Sequence, residues 1–374
     1  MRIGIDARAL VGKNMTGIAT YLDCILKYLA EHDRENEYIL YSSLPYEEER
    51  NYGPNFTVKV VKRTKEVLWA ILDLTRAIRK DNLDVFWGPN YELPLRVKGV
   101  RYVLTIHDLA LLINSGWGDR RTTFTLKVMA PWAVRRADRL LADSESTKQD
   151  LIRLCKAKEA VVRTVYLGGY EDQTHLVSAE GLVAAKQKYG IGEKYFFFVG
   201  TIEPRKNIDT LVKAFELLAA KDPDVQLVIA GGIGWNCDDV LTQIRNSPYA
   251  DRILQVGYVE KQEKLDLYAG AAAYVLPSHY EGFGLPVLEA MSLGGIVITS
   301  NNSSLPEVVG EAALYVDNEN DETALAALME QVLKMDSAER QRRIELGIQQ
   351  AAKFSWEKCA QETVQELLGK ELSI

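Results

Sequence analysis

The sequence lacks the patterns that mark disulfide-rich, zinc-binding and membrane-spanning proteins. It has four cysteines in 374 residues, with no Cys-x-x-Cys or Cys/His pairing among them: Cys24, Cys155, Cys237 and Cys359. This distribution argues against a disulfide framework and fits a reducing cytoplasm. No segment reaches the roughly 18 apolar residues of a membrane span, and the first residues form a strand-like run instead of a signal peptide. We therefore expect a cytoplasmic protein that is neither secreted nor integral to a membrane.

Length and composition predict a globular protein of two domains. The chain has 374 residues, whereas a domain usually has about 100–200. Its 47% hydrophobic and 26% charged residues are typical of folded proteins, not of disordered or collagen-like ones. Each domain should therefore bury a substantial core.

The net charge of −7 hides a basic segment between Asp119 and Arg163. That segment has eleven lysines and arginines against six acidic residues. It is typical of a solvated helical face, but it would also suit an anionic membrane surface or acceptor. Nucleic acid is a poor candidate, because the chain as a whole is acidic.

Short β-branched runs alternate with longer amphipathic segments, which indicates parallel sheets flanked by helices. Five runs predict strands of a first domain: RIGIDAR, EYILYSS, DVFWGP, RYVLTIHD and RLLADS. Five more predict a second series: YFFFVG, VQLVIAGG, ILQVGYV, AAYVLPS and GIVITS. A final amphipathic helix follows Phe354. The sequence thus predicts an α/β fold of two doubly wound Rossmann-like domains that face an interdomain cleft, with their boundary within residues 168–181.

Two loops after predicted strands carry candidate anion-binding residues. In open α/β sheets, ligands bind beyond the carboxyl ends of the strands, where helix N-termini point. The loop of residues 11–21 ends at a helix that should begin near Gly17, and its first amides could hold an anion. In the second loop Arg205 and Lys206 stand directly before a helix capped by Asn207. Two such cations suit a pyrophosphate, although an Arg-Lys pair on a loop is also common without a ligand.

The segment HYEGFGLPVLEAMSLGG, residues 279–295, sets Glu281 and Glu289 around a glycine-rich turn. Pro286 suits the first turn of a helix, so the helix should begin near Gly284–Pro286, after Glu281 and one turn before Glu289. The backbone amides of this turn should point toward a phosphate, namely those of Gly282, Phe283, Gly284 and Leu285. The two carboxylates could accept hydrogen bonds from hydroxyls on either side of that phosphate. A ligand that carries hydroxyls, then a diphosphate and then further hydroxyls is a nucleotide sugar.

Three other interpretations stay open at this point. A glycosidase also uses two carboxylates, but its acid needs a raised pKa, whereas a helix N-terminus beside Arg205 and Lys206 favours the ionised form. A non-catalytic nucleotide-sugar-binding protein would need the same binding residues. A dinucleotide oxidoreductase is suggested by VIAGGIGW, which lacks the full G-x-G-x-x-G pattern.

Taken together, these motifs resemble the retaining family 4 glycosyltransferases, which have the two-domain GT-B fold. EGFGLPVLEA matches their E-x7-E signature, and GTIEPRKN, VLTIHDLA, TGIATY, VGYV and FSWEK resemble their other landmarks across the whole chain. The resemblance implies an acceptor-binding domain at residues 1–170, a nucleotide-sugar-binding domain at 171–353 and a last helix at 354–374 that packs back on the first domain. The GTIEPRKN variant is similar to bacterial mannosyl- and rhamnosyltransferases of surface-polysaccharide assembly, which implies GDP-mannose as the donor and a glycan or lipid-linked acceptor.

The resemblance also implies roles for the candidate residues. Glu281 would contact the donor sugar's hydroxyls and Glu289 the ribose, while Arg205 and Lys206 would bind the diphosphate and stabilise its departing charge. His107 would lie near the transferring sugar, although a histidine at a strand end can also serve only structure, and Asp108 could orient its ring or cap the next segment. Gly17 would lie near the phosphates and the acceptor, and the base would be framed by Gly257, Tyr258 and Val259. Many members of the family have an arginine at the position of Thr201, so Arg205 is expected to supply the guanidinium here.

The implied reaction moves a hexosyl group to an acceptor hydroxyl with retention, assisted by the departing phosphate. No carboxylate is clearly placed as a covalent nucleophile, and no Asp-x-Asp metal motif occupies a comparable loop. We therefore expect neither a metal nor a cofactor. The basic segment adds the expectation of peripheral association with the inner face of the membrane.

Overall fold

The computed structural model describes residues 1–11, 17–46, 50–63, 69–169 and 177–369, which form two compact units. Unit 1 comprises Met1–Ile113, Arg121–Gly168 and Trp356–Ile374, and unit 2 comprises Asn114–Arg120 and Gly169–Ser355. The chain thus passes into unit 2 at Gly169, and its last helix belongs to unit 1.

Each unit contains a parallel sheet of short strands. Unit 1 has β1 (Arg2–Asp6), β2 (Glu37–Ser42), β3 (Phe56–Val60), β4 (Val85–Gly88), β5 (Arg101–Ile106), β6 (Arg139–Ala142) and β7 (Val162–Thr164). Unit 2 has β8 (Lys194–Val199), β9 (Val225–Ala230), β10 (Ile253–Gly257), β11 (Ala273–Leu276), β12 (Val297–Ser300) and β13 (Leu314–Val316). The central strands are apolar and buried, as expected where helices cover both faces of a parallel sheet.

The helices lie between the strands in sequence, with an additional group near the carboxyl terminus. They are α1 (Gly17–His32), α2 (Leu74–Asp81), α3 (Ala110–Ile113), α4 (Arg120–Val134), α5 (Glu145–Cys155), α6 (Ala179–Tyr189), α7 (Ile208–Ala219), α8 (Asp238–Asn246), α9 (Lys261–Gly270), α10 (Leu285–Ser292), α11 (Leu305–Val309), α12 (Glu322–Lys334), α13 (Ser337–Ala351) and α14 (Trp356–Leu368). Within the described part of the chain, no helix combines the length and the apolar character needed to cross a membrane.

The last helix, α14, packs against α1 in unit 1. The α1 sequence places apolar residues at helical spacing, so Leu22, Ile25 and Leu29 are all buried. The Tyr21 hydroxyl of α1 lies 3.4 Å from the hydroxyl of Thr363 on α14. The contact buries the apolar stripes of both helices.

The strand order of each sheet reverses beside the first strand of its unit. The orders are β3-β2-β1-β4-β5-β6-β7 in unit 1 and β10-β9-β8-β11-β12-β13 in unit 2. Such a reversal leaves a crevice at the carboxyl ends of the two strands that flank it. The loops after β8 and β11 therefore meet in unit 2, and those after β1 and β4 meet in unit 1. The predicted class of two doubly wound α/β domains is confirmed.

Candidate active site

The loops after β8 and β11 bring Glu281 together with the two cations that the sequence singled out. Lys206 Nζ lies 2.7 Å from Glu281 Oε1, and Arg205 Nη1 lies 2.9 Å from Glu281 Oε2. The Ser278 hydroxyl also donates to Glu281 Oε1, at 2.6 Å. Glu281 and Lys206 are buried and Arg205 is partly exposed, so these side chains form a largely buried ion-pair cluster.

Charge pairing keeps Glu281 ionised. Burial alone would raise the pKa of its carboxyl, but Lys206 and Arg205 outweigh that effect and lower the pKa to about 2. An ionised carboxylate accepts hydrogen bonds and has no proton to give, so Glu281 is not suited to general-acid catalysis. The cluster therefore argues against the glycosidase interpretation.

Glu203 is a further buried member of this cluster, and the sequence reasoning missed it. Its Oε1 accepts from Arg205 Nε at 3.1 Å and from Nη2 at 2.7 Å, while Arg205 Nη1 also donates to the Tyr280 carbonyl at 3.0 Å. The guanidinium is thus held in one orientation from several sides. Together Glu203, Glu281, Arg205 and Lys206 carry no net charge. The only signal in the sequence was an acidic residue two positions before Arg205.

Two serines fix the glycine-rich turn after β11. The Glu281 amide donates to Ser303 Oγ at 2.9 Å, and the Ser304 hydroxyl donates to the carbonyls of Glu281 at 3.0 Å and Phe283 at 2.8 Å. Gly284 has a φ of +102°, which residues with a side chain rarely adopt. Helix α10 begins directly after Gly284, where the sequence predicted it.

Glu289 lies on α10 and contacts α9. Its carboxylate accepts from Lys264 Nζ at 3.0 and 3.2 Å and from the Tyr268 hydroxyl at 3.1 Å. The two glutamates of the predicted signature therefore have different partners, since Glu281 contacts the loop cations. Their contributions can be separated by mutation.

The segment predicted to frame the base begins at Gly257, the last residue of β10. Gly257 has a φ of +69°, and its carbonyl accepts from the Gly231 amide at 2.7 Å. Tyr258 is 68% exposed, whereas Val259 is buried. The hydrogen bond of Gly257 and the burial of Val259 thus hold the segment in place at the carboxyl end of β10, while the Tyr258 side chain is exposed.

Residues 114–120 belong to unit 2, although the sequence predicts them to lie in the first domain. The ring of Trp117 stacks on that of His279, with centroids 5.9 Å apart and planes at 4°. The Trp235 indole N–H donates to the Trp117 carbonyl, and the His279 amide donates to the Arg205 carbonyl at 2.9 Å. These contacts, which join residues far apart in sequence, explain the difference.

In unit 1, His107 is partly buried directly after β5. Its Nδ1 lies 2.6 Å from Asp143 Oδ2, and its Nε2 lies 2.9 Å from the Pro89 carbonyl oxygen. Because both neighbours are acceptors, the contacts favour a ring with both nitrogens protonated. Burial by itself lowers the pKa of His107, but Asp143 outweighs burial and raises it. Asp143 is a second residue that sequence reasoning missed.

The alternatives for Asp108 are resolved, whereas the loop before Gly17 is not described. The Asp108 carboxylate accepts from the Ala110 amide at 3.0 Å, so it caps α3, and Asp143 orients the ring of His107. Helix α1 begins at Gly17 as predicted, but residues 12–16 of the preceding loop lie outside the described residues. The described residues contain no group of three or more His, Cys, Asp or Glu side chains that could hold a metal ion.

The chain matches two family models that together cover most of its length. The model of glycosyltransferase family 4 matches residues 15–168, and that of glycosyl transferases group 1 matches residues 184–350. O-antigen chain mannosyltransferase B of Escherichia coli is 36% identical over 283 residues, which cover 75% of this chain and 73% of that protein. The serotype-specific mannosyltransferase WbdA of the same species is 32% identical over 266 residues, but these span only 32% of its length and 69% of this chain.

Solved structures agree with the fold. WaaG, a glycosyltransferase involved in lipopolysaccharide biosynthesis, superposes with a TM-score of 0.76 at 15% identity, covering 99% of this chain and all (100%) of that one. HepE of Anabaena, in complex with UDP-glucose, gives a TM-score of 0.74 at 15% identity over 98% and 99% of the two chains. The fold and the matched families and relatives thus define a transferase of the GT-B class. The chain belongs to the family 4 glycosyltransferases, which also removes the oxidoreductase interpretation.

Proposed function

We propose that this glycosyltransferase moves a mannosyl group from GDP-mannose to a glycan or lipid-linked acceptor in bacterial surface-polysaccharide assembly. The observation that carries the proposal is the buried cluster of Glu281, Arg205 and Lys206 in a chain 36% identical to an O-antigen mannosyltransferase. HepE binds UDP-glucose, which supports a nucleotide sugar as the class of donor.

In this proposal Glu281, Arg205 and Lys206 give up their contacts with one another and bind parts of the donor instead. Arg205 and Lys206 turn their N–H groups to the diphosphate and stabilise the charge that develops on it as the glycosidic bond breaks. Glu281 then accepts from hydroxyls of the sugar, and Glu289 from those of the ribose. The amides of residues 282–285 add donors to the phosphates, and Gly257, Tyr258 and Val259 frame the base. His107 contacts the transferring sugar.

The identity of the donor can be tested by thermal shift. A ligand that binds only the folded state stabilises it by about 2.7 kcal/mol at 100 times its Kd. We expect GDP and GDP-mannose to raise the Tm, and UDP, ADP and dTDP sugars at equal concentration to raise it less. A larger shift with any other nucleotide would assign a different donor.

The chemistry can be tested by following the reaction in excess EDTA by NMR. Because the cations and helix amides offset the leaving-group charge in this proposal, we expect turnover to survive chelation. We also expect the mannosyl product to keep the anomeric configuration of the donor. Activity that is lost in EDTA and restored by magnesium or manganese would contradict metal independence, and an inverted product would contradict retention. Binding of the donor without any product would indicate the non-catalytic alternative.

Unit 1 is the proposed acceptor-binding unit, and its helix α4 is the proposed contact with an anionic membrane. The outer face of α4 exposes Phe124 to 72% and Val128 to 49%, one helical turn apart, with Lys127 between them. Apolar side chains flanked by basic ones suit the interface of an acidic bilayer. A lipid-linked acceptor would be presented there.

Co-sedimentation with liposomes tests this membrane contact. Each basic residue near an acidic surface contributes roughly 1 kcal/mol, so we expect stronger partitioning onto vesicles that contain anionic lipid. Phe124→Asp should reduce it, whereas Leu44→Asp, at another exposed apolar residue of unit 1, serves as the matched control. Equal partitioning onto neutral and acidic vesicles at low salt would rule the contact out.

A further inference from the structure

Unit 1 has a cavity of about 740 Å³ at the carboxyl ends of β1 and β4. This volume lies within the range of about 300–1,000 Å³ that is typical of small-molecule sites. One wall is the inner face of α4, where the lining residues recur at helical spacing: Thr122, Thr125, Leu126 and Met129. The loop after β4 supplies the opposite polar groups, including Asn90 and Glu92.

An ion-pair group that the proposed chemistry does not use forms part of this cavity. Arg8 Nη2 lies 2.7 Å from Asp6 Oδ2 and 2.7 Å from Glu92 Oε2, and Arg8 Nε donates to Asp6 Oδ1 at 3.0 Å. The guanidinium also lies over the ring of Trp69, 4.4 Å from its centroid. Arg8 is therefore held in place by two carboxylates and an aromatic ring.

Among the described residues that line the cavity, the charges cancel. Asp6 and Glu92 contribute two negative charges, and Arg8 and Arg63 contribute two positive ones. A guanidinium binds phosphate best when its fork of N–H groups is offered to the oxygens, but Asp6 and Glu92 already accept from the fork of Arg8. A phosphate in the cavity would meet these carboxylates, and like charges placed together oppose binding.

Neutral sugars meet no such repulsion. Their hydroxyls can donate to the carboxylates, and they can donate to or accept from threonine hydroxyls and the asparagine amide. The hydroxyls of Thr122 and Thr125 and the amide of Asn90 provide this mixed lining.

We propose that the cavity of unit 1 binds the acceptor as an uncharged glycan end, and that Glu92 and Asp6 exclude phosphorylated sugars by neutralising Arg8. The proposal rests on the proposed function, in which unit 1 takes the acceptor. Glu92 is then a specificity-determining residue for a hydroxyl-rich acceptor.

The test compares methyl α-mannoside with mannose 6-phosphate, which differ mainly by one phosphate group. Binding to the full chain is measured by saturation-transfer NMR without any donor, and acceptor use is measured separately with GDP-mannose. We expect the neutral sugar to bind about tenfold more tightly or better, equivalent to about 1.4 kcal/mol. Equal or tighter binding of the phosphorylated sugar, or no binding of the neutral one, would overturn the proposal.

A charge-removing variant tests the role of Glu92 directly. Glu92→Gln keeps the shape of the side chain but removes one of the charges that neutralise Arg8, so the preference for the neutral sugar should shrink several-fold. The matched control is Glu37→Gln, because Glu37 also pairs with an arginine, Arg2, but lies at the start of β2, at the amino-terminal edge of the same sheet. An unchanged preference in Glu92→Gln, or an equal change in the control, would contradict the assignment.

A second variant does not depend on the ion pairs. Thr125→Trp fills the cavity from α4 and should abolish binding of methyl α-mannoside, while the thermal shift produced by GDP is retained. That retained shift shows that the variant is folded, so undiminished sugar binding would place the acceptor elsewhere. If the wild type binds methyl α-mannoside but fails to turn over GDP-mannose, the proposed donor is wrong and the cavity proposal stands.

Discussion

Glu281→Ala is expected to lower kcat by about 100-fold, the loss typical of a misplaced reacting group, while GDP still binds at least as tightly as to the wild type. Glu281 positions the sugar that becomes oxocarbenium-like, so its loss acts on the transition state. GDP lacks that sugar. Because Arg205 and Lys206 lose an internal counter-charge in the variant, they remain available to the diphosphate. Steady-state kinetics with GDP-mannose and calorimetry with free GDP measure the two effects.

Stability provides a second readout on Glu281. Removing one partner of a buried ion pair costs about 3–5 kcal/mol, so a lower Tm should accompany the lost activity. Since folding lowers the pKa of Glu281 from its ordinary 4.5 to about 2, its contribution to stability is complete above pH 4.5 and is lost as the pH falls toward 2. Glu281→Gln should remove that part of the acid sensitivity, and Glu193→Ala, at a residue whose side chain is 93% exposed, is the control. Loss of GDP binding in Glu281→Ala would show that Glu281 has another role.

Nine of the ten strands that the sequence predicted lie inside a sheet, β10 being the exception, and the strands it missed lie at sheet edges. All ten predicted runs contain strands, whereas β3, β7 and β13 were not predicted. Each of these three is an edge strand of its sheet. Edge strands are paired on one side only and need no continuous apolar run; β3, for example, is half exposed and β7 has three residues. Apolar pattern therefore identifies the interior of a parallel sheet better than its edges.

The candidate site was predictable where local chemistry specifies it. A left-handed glycine and a proline fix the start of α10, and this local pattern located the turn after Glu281 correctly. Asp143 escaped prediction because its importance comes from a partner brought close by strand order, whereas Glu203 lies only two positions from its partner Arg205 and no motif marked it. Asp143 meets His107 across 36 residues because β5 and β6 are adjacent. No motif or residue spacing in the sequence predicts such a contact.

Glu289→Ala is expected to weaken both GDP and GDP-mannose by about 100-fold while kcat at saturation stays close to that of the wild type. A hydrogen bond to a charged group contributes about 1.5–3 kcal/mol, and a ribose offers two hydroxyls to the carboxylate. The ribose changes little during the reaction, so the interaction lost is uniform binding, which appears in KM. Calorimetry with GDP and steady-state kinetics with GDP-mannose check both parts of this expectation.

The contacts of Glu289 with α9 supply the control that separates binding from structure. Lys264→Met removes the ion pair at 3.0 Å but leaves the carboxylate of Glu289 and the Tyr268 hydroxyl in place. If Glu289 binds the ribose itself, GDP should bind Lys264→Met far more tightly than Glu289→Ala. Equal losses in the two variants would mean that Glu289 acts by fixing α10 against α9. Unchanged affinity in Glu289→Ala would refute the ribose assignment, and it would leave Glu281 as the only glutamate of the signature that contacts the donor.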